Sequence, residues 1–415
     1  MKGIAMSVNP VRYFLLIFIY FLLIVELIYA QTDDTSGKFF NDIKSIRFEV
    51  NQMYEDAKGV NIPFKEYTSK LLSYCGVKIE DKNFDAILRV CISGIALSRE
   101  YSAFGKKELL YTGARISGIL NLVTVDDREI SEDFLVIDRP PSFLKIAYGA
   151  PYPNTPDDAP FESVAKKAYF PSLCTLIIKI YGPDALVPAL NERDENLRIA
   201  IALSLGNLGD SRALYQLTLT LANKDYDFNT KAEELLNNID KNWRQTSETR
   251  RAKLKMLSNL KVVDWDSVYH TTEALEKIDE SWKRSEMAKS MIPFFLKALN
   301  SQNFNKVDCA SWVLQYVADE SAIYPLIAFL KGDSFYLHRA RAAEALGRIG
   351  DKRATLALIA ALEDKNLGTS QTTVVKALGI IGDKRALKPL NNLLNDQDKY
   401  VREAAEEAIF EISLK

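Results

Sequence analysis

The chain has 415 residues, 47% of them hydrophobic and 26% charged, with 53 Lys plus Arg against 55 Asp plus Glu. That length exceeds one ordinary domain, and the composition is that of a globular protein, not a disordered or fibrous one. A net charge of −2 provides no global field toward nucleic acid or an acidic membrane surface, so no nucleic-acid partner is expected.

At the N-terminus, Lys2 and Arg12 precede an uninterrupted apolar run from Tyr13 to Val25, followed by Glu26 and, four residues later, Ala30. A positive start, an apolar stretch of this length and a small residue at its end predict a secretory signal peptide over residues 1–30. A bilayer span needs about 20 apolar residues, and Glu26 would sit inside one. The expectation is therefore an exported protein, periplasmic or extracellular, with no stable membrane anchor after cleavage. An uncleaved signal anchor is the alternative.

Residues 31–138 read as a small α+β module. Residues 31–37 are polar; a helix is expected from Lys38 to Ala57, and a second from Phe64 to Cys75, opened after Pro63 and stopped at Gly76. The period then changes to two. Ala86, Leu88, Val90 and Ile92 form one apolar face, as do Ala114, Ile116, Gly118, Leu120 and Leu122, which predicts half-buried strands, with a third over Phe134–Ile137. Cys75 and Cys91 share this module, and the sequence leaves open whether they form a disulfide or stay free. Residues 139–160 carry six of the fourteen prolines, which marks a linker and a domain boundary.

From residue 161 the chain is helical and repeats itself. Leu205-Gly206-Asn207-Leu208-Gly209-Asp210-Ser211-Arg212-Ala213 returns at Leu346–Ala354 and at Leu378–Ala386, the last two copies 32 residues apart, with a worn copy at Leu314–Ala322. Self-similarity at such a period indicates a solenoid of helix pairs. A Gly that can adopt positive φ closes the first helix of each copy, and Asp210, Asp351 and Asp383 cap the second helix. Arg198, Arg339 and Arg402 recur on the first helices, where the third copy has Gln371, so any ladder of these arginines is expected to break there.

The motif resembles HEAT repeats, of the short kind associated with phycobilisome-lyase proteins. The resemblance covers residues 161–223 and 303–412 well and 225–302 poorly. It implies a mainly α protein: a HEAT-like α-solenoid over 161–415, divergent over 225–302, preceded by the small α+β module. Residues 225–302 lack Gly-Asp-x-Arg-Ala and place Trp243, Trp265 and Trp282 off the 32-residue period, so they are expected to be the least regular part.

Chemistry is sparsely supplied. There are two histidines, His270 and His338, and four cysteines with no Cys-x-x-Cys, so no catalytic, metal or cofactor site is expected. Cys174 and Cys309 read as buried small hydrophobes, and His338 as a packed residue. The expectation is a non-catalytic scaffold of the cell envelope that binds a protein or peptide partner. In solenoids of the resembled kind, the second helices line a concave binding face. Here the periodically varying columns Tyr324, Leu356, Lys388 and Glu320, Lys352, Lys384 are the candidate contacts, beside the recurring apolar sets Leu326, Leu358, Leu390 and Leu330, Leu362, Leu394. The alternatives are a lyase-like protein whose groove holds a bilin or other ligand, and a structural envelope component.

Overall fold

The computed structural model describes residues 42–55, 60–103, 106–138, 161–261, 264–332, 334–364 and 370–414. The expected signal peptide and the Pro-rich segment 139–160 lie outside them. The described residues form a mainly α protein with a HEAT-like solenoid and a small N-terminal sheet module. They divide into two compact units, one ending at Leu205 and the other starting at Gly206.

The first unit is built on a five-stranded sheet, β1 (Ser45–Glu55), β2 (Lys78–Ile79), β3 (Ala86–Ala103), β4 (Lys106–Thr124) and β5 (Glu129–Asp138), in the order β2-β1-β3-β4-β5. β1 pairs in parallel with β2 and β3, and β3–β4 and β4–β5 are antiparallel. The helix expected over Lys38–Ala57 is thus corrected: its described part is strand β1. Ile43, Ile46, Val50 and Met53 keep helical spacing, but Ile46, Phe48 and Val50 also alternate. Partners on both sides of β1, distant in sequence, decide between the two periods. Helix α1 (Phe64–Tyr74) ends as expected, with Gly76 at φ +73°.

The predicted apolar faces are the buried ones. Ala86, Leu88, Val90, Ile92, Ala114, Ile116, Leu120 and Leu122 are all at most 4% exposed. They are covered by α1 and by α2 (Phe161–Tyr181), whose Tyr169 is fully buried with its ring 4.8 Å from that of Phe64 and its hydroxyl bonded to Thr68. Helix α2, expected to open the solenoid, therefore packs on β4 and β5, and the residues up to Leu205 belong to this unit. A 3₁₀ segment, Pro183–Asn191, follows, and then α3 (Glu195–Asn207). Next to the 3₁₀ segment, Glu192 has a side chain only 5% exposed and pairs with Lys70 at 2.7 Å. Burial pushes its carboxyl up, but Lys70, the Arg193 N–H and the Tyr74 hydroxyl outweigh that and hold it at about 2. Cys75 and Cys91 are free. Cys91 lies on the exposed face of β3, and Cys75 ends a helix that packs on the other face.

The second unit is a succession of helix pairs. Its helices are α4 (Leu214–Thr220), α5 (Tyr226–Ile239), α6 (Ser247–Asn259), α7 (Trp265–Ile278), α8 (Glu286–Lys289) and α9 (Ile292–Ala298). They continue as α10 (Phe304–Val317), α11 (Ile323–Leu330), α12 (Tyr336–Ile349), α13 (Thr355–Leu362), α14 (Gln371–Ile381), α15 (Leu387–Leu393) and α16 (Lys399–Ser413). First helices α10, α12, α14 and α16 stack in series, each on the next. Two glycines per motif copy do different jobs. Gly350 and Gly382 take φ +76° and +71° to close α12 and α14. Gly347 makes the stacking possible, since a Cβ there would lie 2.8 Å from Ala377.

Residues 225–302 are helical and paired, and their divergence is a second, longer repeat. Ile239-Asp240-Lys241-Asn242-Trp243-Arg244 returns as Ile278-Asp279-Glu280-Ser281-Trp282-Lys283, 39 residues on. Asp210, Asp240, Asp279, Asp319, Asp351 and Asp383 each accept from the N–H two residues ahead. Three residues after each Asp stands a side chain with 0% exposure: Ala213, Trp243, Trp282, Ala322, Ala354 and Ala386. In the two Trp repeats a further cap, Thr246 or Ser285, then starts the second helix. The irregularity expected here is confined to the second helix of the later Trp repeat, broken at Ser290–Met291 into α8 and α9.

Candidate partner-binding surface

In the Ala repeats each second helix starts from the same local device. The Asp side chain accepts the N–H two residues on, a short 3₁₀ turn follows, and the buried Ala three residues after Asp seats the helix start against its neighbours. This fixes the helix rotation, and with it which positions face solvent. Leu326, Leu358 and Leu390 are at most 1% exposed, and Leu330 and Leu362 are also buried. Leu394 departs from that set and is half-buried, because α15 ends at Leu393.

All six candidate contact residues are exposed. Tyr324 is 65% and Leu356 62% exposed, and Glu320, Lys352, Lys384 and Lys388 also face solvent. Tyr324 and Leu356 each stand two residues before a fully buried Leu, on α11 and α13, and Lys388 holds the same place on α15. The arginines of the motif pair with the capping Asp of their own copy: Arg212 with Asp210, Arg353 with Asp351, and Arg385 with Asp383. Arg353 also lies over the Tyr324 ring at 5.6 Å, and Arg385 donates to the Lys352 carbonyl at 3.0 Å. Links therefore run from one second helix to the next. The Arg353 guanidinium and backbone N–H hold Asp351 at about 2, and Arg385 and Thr355 hold Asp383 lower still.

His338 is 2% exposed, with its Nε2 3.1 Å from Asp308 and its ring against Phe304 and Phe335. Burial raises the Asp308 carboxyl, but His338 and Arg341 beside it bring it below its ordinary value. His270 lies 3.4 Å from Glu273. Cys174 and Cys309 are fully buried, and burial pushes both thiols up to about 12. The arginine ladder has no break in function at Gln371. Gln371 donates to the Leu362 carbonyl at 3.0 Å, as Arg339 does to Leu330 at 2.8 Å, and each relieves an unpaired carbonyl at the end of the preceding second helix.

Two features escaped the sequence reading. Arg341 of α12 is stacked near Trp265 of α7 and Trp312 of α10, at 4.9 and 5.1 Å, and is held by Asp308, which staples three successive first helices. On the second helices, Leu254 of α6 is 53% exposed two residues before buried Met256, the place that Tyr324 and Leu356 hold, and Phe294 of α9 is 39% exposed one residue before buried Phe295. The Asp and Trp of the 39-residue repeat were the signal that could have aligned them.

Stacked helix pairs with Asp-capped second helices define the second unit as a HEAT-like repeat array. Consistent with this, residues 323–409 match the family model described as HEAT repeats. Among solved structures, the chain is similar to human deoxyhypusine hydroxylase in complex with glycerol at 19% identity, covering 56% of this chain and 85% of that one, with a TM-score of 0.28. It is also similar to an engineered protein at 17% identity, covering 65% and 77%, TM-score 0.37. A designed armadillo repeat protein aligns at 14% identity, covering 55% and 99%, TM-score 0.26. Likeness at these values says nothing about activity. No curated protein sequence matches the chain. Among the described residues no helix is long and apolar enough to cross a membrane.

Proposed function

We propose that the chain is an exported, non-catalytic scaffold that binds a protein or peptide partner through the concave face of its solenoid, on the solvent-facing side of its second helices. The observation that carries this reading is the exposure of Tyr324 and Leu356 at one repeated position, two residues before leucines that are fully buried. Large rigid apolar groups held on a preordered surface are what interface anchors require. Glu320, Lys352, Lys384 and Lys388 form the polar rim around them. Export rests on residues 1–30 of the sequence, and an intact mass beginning at Gln31 tests it.

The binding reading is tested with a photocrosslinking amino acid at position 324 or 356 in the native host, with mass spectrometry of the adduct. A discrete adduct from these positions, weakened by Tyr324→Ala combined with Lys388→Glu while the circular dichroism stays unchanged, is the expected result. Adducts that form only from residues of the sheet module would move the function there.

A further inference from the structure

Resting on that reading, we infer that the partner is an acidic peptide segment bound in an extended, polyproline-like conformation, with an apolar side chain at every third residue. The argument starts from charge. The chain as a whole carries −2, yet the exposed side of the second helices is basic. Lys255 on α6, Lys297 on α9, Lys331 after α11, Lys352 before α13, and Lys384 and Lys388 at α15 are all exposed. Among the described residues none of these six has a carboxylate within ion-pair distance, whereas Lys253 pairs with Asp279 and Lys277 with Glu233. The exposed acids on the same helices and the turns that open them are Glu280, Glu286 and Glu320, with Glu363 closing α13, and Glu286 is paired with Lys289. Unpaired lysines flanking an apolar row favour a ligand that carries both carboxylates and apolar groups.

Spacing then selects the ligand's conformation. Leu254, Phe294, Tyr324 and Leu356 place one large apolar side chain on each of four successive second helices. Packed helices lie about 8–10 Å apart. A polyproline II chain rises about 3.1 Å per residue with three residues per turn, so it returns a side chain to the same face about every 9 Å. A β-strand places same-face side chains about 7 Å apart and falls out of step with the row within two repeats. An extended polyproline-like segment keeps one apolar residue per helix, and the two residues between them carry the carboxylates toward the lysines. A nucleic acid would use the lysines but leave the apolar row unfilled.

The test uses the mature full chain and fluorescence anisotropy with a labelled peptide of five Glu-Pro-Leu triplets. The comparison ligands are a peptide of the same composition with its leucines contiguous, a Lys-Pro-Leu peptide, and a single-stranded oligonucleotide of similar charge. The triplet peptide is expected to bind at least roughly tenfold more tightly than each of the others, weaken as salt rises, and lose roughly tenfold with Leu356→Ser or with Lys384→Glu. Equal binding of the two acidic peptides would overturn the spacing, and preferred binding of the oligonucleotide or the basic peptide would overturn the partner class. These failures are separable from failure of the binding reading itself. If position 324 crosslinks a native partner whose attached segment is not acidic, the surface stands and this inference falls.

Discussion

The Ala repeats and the Trp repeats of the second unit solve one problem with different residues. Both turn the chain with an Asp that accepts the N–H two residues on, and both bury completely the side chain one residue further. In the Ala repeats the second helix starts at once, and the small methyl lets it sit close. In the Trp repeats the indole fills the space, its N–H reaches back six residues to Asn237 or Glu276 at 3.0 Å, and the second helix waits for Thr246 or Ser285. The difference teaches that the repeat is defined by its capping Asp and by one fully buried position, and that the identity of the buried residue sets where the second helix starts.

The largest effect should come from breaking that buried position where it is widest. Trp282→Ala is expected to cost about 3–5 kcal/mol, because a fully buried indole leaves a cavity that fixed caps on both sides keep from closing. Urea denaturation of the full chain measures it. A cost under about 1 kcal/mol would mean the Trp repeats are seated by something other than their indoles.

The caps come next, and they separate members of the same set. Asp351→Ala should cost about 1 kcal/mol, the ordinary value for a lost cap. Asp383→Ala should cost about 2, because Asp383 also accepts from the hydroxyl of Thr355, which is 0% exposed and would be left unpaired. Equal losses would show that the Thr355 bond contributes nothing.

Much of this was legible in the sequence, and the failures have physical causes. Gly350 and Gly382, the capping Asp residues, and the alternating faces of β3 and β4 are local features, written in residues a few positions apart. Strand β1 was misread as helix because its partners Lys78–Ile79 and Ala86–Ile95 are distant, and its own sequence satisfies both periods. The Trp repeats were passed over because the pattern was followed through Gly, Arg and Ala, while Asp alone recurs in all six copies. The six candidate contacts were found exposed where the 32-residue period holds. Leu254 and Phe294 were missed where the period becomes 39.

Acid should weaken the second unit through these caps. Lys253, then Ser281, hold the Asp279 carboxyl at about 2, below its unfolded value of about 3.9. A depressed carboxylate contributes stability that is present above the unfolded value and lost as pH falls through the folded one. The urea midpoint should therefore drop between about pH 4 and pH 2, and Asp279→Asn should make that drop shallower. An unchanged slope in the variant would remove Asp279 from the account.

The smallest expected effect tests the register shared by both kinds of repeat. Leu356 and Leu358 lie two residues apart on α13, the first 62% exposed and the second 0%. On a helix two residues is a rotation of about 200°, so the same substitution at the two positions samples opposite faces. Leu358→Ser removes a fully packed side chain and buries a hydroxyl, and should cost about 3 kcal/mol or more. Leu356→Ser removes a group that already meets water, and should stay within about 0.5 kcal/mol. Leu254 and Met256 on α6 offer the same contrast in a Trp repeat, with Met256 1% exposed. If Leu254→Ser is as harmless as Leu356→Ser, the second helices of both repeat lengths present the same face to solvent, and the apolar row is continuous through the change of period. If Leu254→Ser destabilises like Leu358→Ser, α6 is rotated relative to α13 and the row begins only at α9.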